Sequence, residues 1–482
     1  MKRREFIKAT TAGVLGLMLD QSTLANDRAG ADNRPNILFI MTDQQSASML
    51  SCTGNKGLKT PALDRLAASG TRFERAYASN PVCVPSRFSL QTGLMPSAIG
   101  MGRNEDSGQA AVTDAMVKQS LGRLFKNADY ETVYGGKVHL PRKMNRIQNL
   151  GYRNLTSNRR QGLAQACAEF IKGPHAKPFF LFASFINPHD ICYMAINDFN
   201  RTQGKPPIDN EDSKICEGVL DRVRNKGDIN IFAPNHCPTL PANHAVPELE
   251  PECITEKFLN ARPFRAHARA KWTANQWRLH RWAYCRLTEI VDKEIGIVLD
   301  ALREAGLEKN TLVVLTSDHG DMDSSHKMEH KSVLYEEATR IPFIMSYKGK
   351  IPEGKVDNTH FISNGLDLLP TLCDYAGIEA PEGRQGRSVR PLVEGKPVNS
   401  WREFIAVESQ NGRMVRTDRF KYCIYDSGQH AEQLTDLKND PGEMKNLAEI
   451  AEYKDVLNTH RRLLRRWVER TGDKIGAEYI RS

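Results

Sequence analysis

Three short runs along the chain are apolar at nearly every position: Ile37-Leu38-Phe39-Ile40-Met41, Phe179-Phe180-Leu181-Phe182-Ala183 and Leu312-Val313-Val314-Leu315. They are continuous rather than alternating, which is the pattern of strands buried on both faces, as in parallel sheets covered by helices. Each run ends in polar residues: Thr42-Asp43-Gln44, Asn187-Pro188-His189 and Ser317-Asp318-His319-Gly320. Between the runs the period changes. Thr60-Pro61 opens a helix that continues through Ala68, with proline at the favoured first position. Leu287, Val291, Ile295, Val298 and Leu302 recur at helical spacing just before the third run. This alternation predicts a doubly wound α/β domain with a mostly parallel central sheet flanked by helices. In such sheets ligands bind beyond the carboxyl ends of the strands, so the three polar endings are expected to gather at one site.

Other segments depart from that rhythm. Residues 195–265 are polar, proline-dotted and weakly periodic, and are expected to form long loops of the functional kind. After residue 395, Phe404-Ile405-Ala406-Val407 and Lys421-Tyr422-Cys423-Ile424-Tyr425 predict short strands, and Val456 to Val468 a closing helix. The chain is therefore divided into an export signal (1–25), a main α/β domain (26–394) and a small C-terminal antiparallel sheet plus helix (395–482). The first segment has a basic head, a short apolar stretch and small residues near Ala25, which describes a cleavable signal. Arg3-Arg4-Glu5-Phe6-Ile7-Lys8 resembles the twin-arginine address, which implies a partner in the twin-arginine export machinery and a chain already folded in the cytoplasm. The expected destination is the periplasm or the exterior of a bacterial cell. No apolar run approaches the roughly 20 residues of a membrane span, so no integral membrane segment is expected once the signal is removed.

Composition adds a little. The net charge is +9, and removing Lys2, Arg3, Arg4 and Lys8 together with Glu5 and Asp20 leaves +7. A mild positive excess favours anionic partners. Nucleic acid is set aside, because no dense Lys/Arg run is interleaved with aromatics. The ten cysteines show no CxxC pairs and no zinc-type spacing, and nine of them read as small buried side chains or an occasional disulfide. Cys83 stands apart, in Cys83-Val84-Pro85-Ser86-Arg87-Phe88-Ser89-Leu90-Gln91-Thr92-Gly93.

Asp43 and Asp318, brought together at strand ends, repel one another unless a cation sits between them. With the amide oxygen of Gln44 and with His319 they make an oxygen-rich set suited to calcium or magnesium. Tyr134-Gly135-Gly136-Lys137-Val138-His139 follows a predicted strand and, if extended, sets Lys137 and His139 on one side. Lys331 adds a second compact cation for an oxyanion. His139 and His189 are candidates to hold or relay a proton. His326 and His330 are further candidates for substrate contact. The collection predicts a cation-assisted site for a tetrahedral anion, a sulfate or phosphate ester.

The Cys83 segment resembles the signature of type I sulfatases, C-x-P-S-R-x-x-x-L-T-G, in the alkaline phosphatase superfamily, with Gln91 where the signature has leucine. The resemblance continues through PNILFIMTDQQ, GGKVHL, Asn187-Pro188-His189, SDHGD, Tyr335-Glu336-Glu337-Ala338-Thr339-Arg340 and Asn439-Asp440-Pro441-Gly442-Glu443. It implies that a formylglycine-generating (sulfatase-maturating) enzyme in the cytoplasm converts Cys83 to formylglycine. One hydroxyl of the hydrated aldehyde would attack sulfur, and the other would later release sulfate. It further implies metal binding by Asp43, Gln44, Asp318, His319 and the converted Cys83, with calcium ahead of magnesium. Arg87 would support the nucleophile, Lys137 and Lys331 would bind sulfate oxygens, His139 would serve release, and His189 would protonate the leaving oxygen. Sulfated carbohydrate is the implied substrate. A phosphodiester or phosphonate monoester hydrolase of the same superfamily, and a non-catalytic binder of sulfated glycans, are the alternatives.

Overall fold

The three apolar runs become strands and lie side by side. The computed structural model describes residues 34–225 and 227–481, so the expected export signal lies outside the described residues. In chain order the first strands are β1 (Asn36–Asp43), β2 (Thr71–Phe73), β3 (Ala76–Tyr77), β4 (Glu131–Gly136), β5 (Arg153–Asn154), β6 (Phe179–Pro188), β7 (Thr311–Ser317), β8 (Phe343–Ser346), β9 (Lys355–Asp357) and β10 (Ile362–Ser363). Eight of them form one sheet in the order β5-β4-β6-β1-β7-β8-β2-β9, while β3 and β10 pair separately. The sheet is parallel from β5 to β7; β8 runs against both its neighbours. In register, β1 sets Ile37 beside Phe180 and Leu312, and Met41 beside Ser184 and Thr316. Asp43, His189 and Asp318 therefore emerge at the same end.

Continuous burial has a simple cause here. Ile37, Phe39 and Met41 project into one apolar core with Phe180, Phe182, Phe88 and Leu369. Leu38 and Ile40 project into another with Leu181, Val313, Val291 and Ile295. The helices Cys83–Thr92 and Asn364–Ala376 cover the first face, and Ala274–Glu304 and Leu163–Lys172 the second. Alternate side chains of each strand thus serve opposite cores, so no position is left for a polar residue until the strand ends.

The tail forms the antiparallel sheet β11 (Ile405–Glu408), β12 (Gly412–Arg416), β13 (Phe420–Tyr425) and β14 (Glu432–Asp436). The helix Lys454–Thr471 buries Leu457, Leu464 and Trp467 among Val415, Tyr422 and Leu434 of this sheet. From Pro35 onward the chain is one compact unit.

Residues 195–265 correct the expectation of long loops. They hold the helices Cys192–Thr202, Glu211–Arg224 and Ile229–His236, a π-helical turn Ile254–Leu259, and the start of Pro263–Lys271. Cys216, Val219, Leu220 and Val223 pack with Trp272, Trp277 and Trp282 in a core of their own. Each helix is short and its apolar stripe narrow, with cysteine and alanine filling core positions, so the 3.6-residue period is hard to see in the sequence. Among the described residues no helix is long and apolar enough to cross a membrane.

Two buried histidines of this fold carry a pH prediction. His280 packs beside the paired rings of Trp272 and Trp277, and burial lowers it to about 3. His326 stacks on Tyr335 at 4.0 Å, and burial also lowers it to about 3. Both stay neutral in the folded chain down to about pH 3, whereas in the unfolded chain they take up protons below about 6.5. The unfolded state thus binds more protons in that window, and stability falls as pH falls. The slope from the pair approaches about 2.7 kcal/mol per pH unit between pH 6 and 4. Urea unfolding at pH 7, 6 and 5 checks this; a flat profile refutes it.

Candidate active site

Asp43, Cys83, Asp318 and His319 are all buried, and each offers a donor atom within 4.8 Å of the others. Asp43 ends β1, and Asp318 and His319 follow β7. Cys83 is the first residue of its helix, whose partly positive end faces the cluster. Asn104 Oδ1 accepts the Val84 amide at 2.9 Å, and the helix closes at Gly93, whose φ of +68° is the left-handed C-terminal turn. The Cys83 thiol is not a surface group: it has 0 % exposure.

Around Cys83 Sγ lie His319 Nε2 at 3.1 Å, Lys331 Nζ at 3.3 Å and Asp43 Oδ1 at 3.7 Å. His319 Nδ1 donates to the Gly320 carbonyl at 2.9 Å, which aims Nε2 at the cluster. Arg87 joins the two carboxylates. Its Nε donates to Asp318 Oδ2 and its Nη2 to Asp43 Oδ2, both at 2.8 Å, while Nη1 donates to the Lys137 carbonyl and Ser184 Oγ. Lys137 Nζ is 2.5 Å from Asp43 Oδ2. Ser86 Oγ donates to the Asp318 carbonyl at 2.6 Å, a purely structural contact.

The electrostatics follow. Burial alone would raise the Asp43 carboxyl, but the charges of Lys137, His189, Arg87 and Lys331 hold it well below its ordinary range. Asp318 is raised by burial and by the Asp43 carboxylate. Burial and Asp43 push the Cys83 thiol up, and Lys331, Lys137 and His319 outweigh them, so it lies well below an ordinary cysteine. His189 is lowered by burial and by Lys137 and Lys331, and its Nδ1 is buried without a hydrogen-bond partner. Three cationic side chains, Arg87, Lys137 and Lys331, surround the two carboxylates and the Cys83 thiol.

Of the expected residues, Asp43, Cys83, Arg87, Lys137, Asp318, His319 and Lys331 form one connected group. Gln44 reaches it too, at φ +66°. Its Oε1 accepts from Lys331 Nζ at 2.6 Å and from Cys192 Sγ at 3.2 Å, so that oxygen is engaged by a cation already. His189 approaches electrostatically. His139 is exposed and bonded to none of the group: β4 ends at Gly136 and His139 has φ +45°, so the extended geometry that would align it with Lys137 does not persist. His326 is a core residue whose Nε2 meets the Asn243 amide at 3.4 Å. His330 is buried against the Phe264 ring at 5.0 Å.

Two further participants were not among the expected site residues, although Asp321 ends the SDHGD element. Asp321, raised to about 6 by burial, accepts from Gln44 Nε2 at 2.6 Å and so orients that amide. Arg160 grips Asp190 at 2.5 and 3.0 Å and Asp212 at 3.0 Å, fixing the turn that begins at His189. His189, Asp190 and Asp212 are also close enough to share an ion, but Arg160 already occupies both carboxylates.

The main cluster fits a hard divalent cation: two buried carboxylates, an inward ring nitrogen and a nearby amide oxygen converge on the position of Cys83. Fold and site together define an α/β hydrolase for esters of tetrahedral oxyanions. The family model "Sulfatase" matches residues 35–378, and that of the "N-sulphoglucosamine sulphohydrolase, C-terminal" region matches residues 324–470. The chain belongs to the sulfatase family and is a sulfuric ester hydrolase. A Delta 4,5-hexuronate-2-O-sulfatase of Bacteroides thetaiotaomicron is 30% identical, covering 93% of this chain and 92% of its own. An N-acetylglucosamine-6-O-sulfatase of the same organism is 27% identical, over 90% and 86%. The solved structure of a 2-O GAG sulfatase superposes with a TM-score of 0.75 at 28% identity, covering 92% of this chain and 94% of that one. A phosphonate monoester hydrolase of Agrobacterium radiobacter shares the fold, with a TM-score of 0.66 at 21% identity over 91% and 96%.

Proposed function

We propose that this sulfatase is exported and removes sulfate from a sulfated carbohydrate, with Cys83 matured to formylglycine and one divalent cation, calcium ahead of magnesium, in the Asp43–Asp318 cluster. The observation that carries the reading is the enclosure of Cys83 Sγ by His319, Lys331 and Asp43 at the positive end of a helix. The carbohydrate assignment is supported by relatives named for hexuronate and N-acetylglucosamine sulfates.

Asp43, Asp318, His319, the Gln44 oxygen and the matured residue 83 would hold the cation, which lowers the pKa of a bound hydroxyl and neutralises sulfate charge. Formylglycine, when present as its hydrate, supplies a nucleophilic hydroxyl and a second one for release. The chain does the rest. Lys331 and Lys137 meet sulfate oxygens as charge develops, at no reorganisation cost, because both are already fixed by Gln44 and Asp43. Arg87 holds both carboxylates by hydrogen bonds and keeps them aimed. His189 delivers a proton to the leaving oxygen, and the incoming sulfate charge offsets the lysines that keep this imidazole neutral in the free enzyme. His139, on the exposed strand exit, reaches the second hydroxyl only by moving inward.

The test uses full-length protein from a bacterial host that carries the maturation enzyme. Mass spectrometry of the Cys83 peptide is expected to show the thiol-to-aldehyde loss. Sulfate release from a panel of sulfated mono- and disaccharides is expected to cease on chelation and return with calcium. An intact thiol with undiminished release overturns the formylglycine part; release from phosphodiesters in preference to sulfates overturns the substrate part.

A further inference from the structure

We propose that Arg265 is a specificity residue that binds a second oxyanion on the substrate, so that the sulfated sugar is itself acidic beyond the ester being cleaved. The inference rests on the carbohydrate reading above and narrows it.

Arg265 is half-buried, and buried or half-buried arginines elsewhere in this fold have carboxylate partners: Arg87 has Asp43 and Asp318, Arg160 has Asp190, Arg269 has Glu250 and Arg413 has Asp473. Arg265 has none within ion-pair distance among the described residues. Its Nε is buried without a hydrogen-bond partner, and its one hydrogen bond runs from Nη1 to the Phe258 carbonyl at 3.2 Å. Glu105, the acid that comes nearest in effect, is engaged by Arg262. Burial pulls the guanidinium down to about 10.

Its position is unfavourable in a second way. Arg265 lies in the first turn of the helix Pro263–Lys271, which carries no acidic residue there, so a cation faces the partly positive end of the helix. A guanidinium without a carboxylate partner at the positive end of a helix is a candidate for an anionic ligand.

The surroundings place that ligand beside the reacting group. The guanidinium carbon lies 4.2 Å from the centre of the Phe258 ring and 5.8 Å from that of Phe264, so two rings hold the side chain in place. Phe264 packs on His330, the residue before Lys331, whose amine is 3.3 Å from Cys83 Sγ. Arg265 is also within electrostatic reach of Cys192, the thiol 3.2 Å from Gln44 Oε1. Arg265 is thus linked through Phe264 and His330 to Lys331, which sets the proposed second-anion position on the Lys331 side of the site. A uronate carboxylate and a second sulfate ester share the required chemistry, since both accept a guanidinium fork.

The experiment measures kcat/KM of the metal-loaded, matured enzyme on a sulfated hexuronate, a disulfated hexosamine and a neutral monosulfated hexose. Arg265→Gln is expected to lose about 10- to 100-fold more on an acid-bearing sugar than on the neutral one. Arg265→Lys is expected to recover part of that loss. Sensitivity on the hexuronate alone identifies a carboxylate, and sensitivity on the disulfated sugar identifies a sulfate. Equal losses on all three sugars overturn the proposal. Melting of the ligand-free protein adds a sign test: Arg265→Met is expected to melt at or above wild type, and melting below it indicates a structural arginine. If wild type cleaves an aryl sulfate but none of the sugars, the carbohydrate reading itself fails. Arg265 is then judged by competition: glucuronate that inhibits aryl sulfate turnover no more in wild type than in Arg265→Gln also overturns the inference.

Discussion

Cys83→Ser is expected to lower steady-state sulfate release by about 10⁴-fold or more while leaving the fold intact. Serine fills nearly the volume of cysteine, so the contacts of residue 83 with His319, Lys331 and Asp43 survive in kind. Its hydroxyl can attack sulfur once. It then carries the sulfate as a simple ester, with no second hydroxyl on the same carbon to expel it. The signature of this defect is a burst: one equivalent of alcohol per enzyme, then almost nothing, with a sulfated peptide visible by mass spectrometry. Steady turnover close to wild type in Cys83→Ser would sink the mechanism, because an ordinary hydroxyl would then suffice.

The second large effect is on stability. Arg87 is 2% exposed and ties together two carboxylates that are wholly buried. Arg87→Met keeps most of the side-chain volume and removes the charge, so Asp43 and Asp318 face one another with Lys137 as the nearest direct counter-charge. A loss of about 3–5 kcal/mol is expected for the metal-free protein, the scale seen when one partner of a buried pair is removed. Calcium should return a larger share of stability to the variant than it adds to wild type, since it would supply positive charge to the same two carboxylates. Chemical denaturation with and without calcium measures both. A variant as stable as wild type without metal would show that Arg87 is not the counter-charge described here.

What the sequence disclosed and what it hid divide along physical lines. The sheet was legible because strands buried on two faces admit no polar residue, so β1, β6 and β7 stand out as unbroken apolar runs. Asp43, Asp318 and His319 were legible for the complementary reason: they are where those runs stop. The helical segment 192–271 was not, because its core is built from small residues and tryptophans on short helices, and its stripe is too narrow to read. Lys137 and His139 were taken as one face of an extended segment; the strand stops at Gly136, and His139 itself is left-handed, at φ +45°. Asp321, Arg160 and Arg265 were not singled out, because their meaning comes from partners, or a missing partner, far away in the chain.

The complete enclosure of Cys83 has a consequence for the order of events during biosynthesis. Its walls come from Asp43, Asp318, His319 and Lys331, so the pocket cannot close until the chain beyond residue 331 has emerged. From Cys83 to Lys331 is about 250 residues, which at roughly 5–20 residues per second leaves an interval of about 12–50 s. During that interval the thiol is still reachable on an incomplete chain. If Cys83 is matured as proposed, the maturation enzyme works against this clock, and a host that synthesises the protein faster than that enzyme acts would accumulate folded molecules that keep the unconverted thiol.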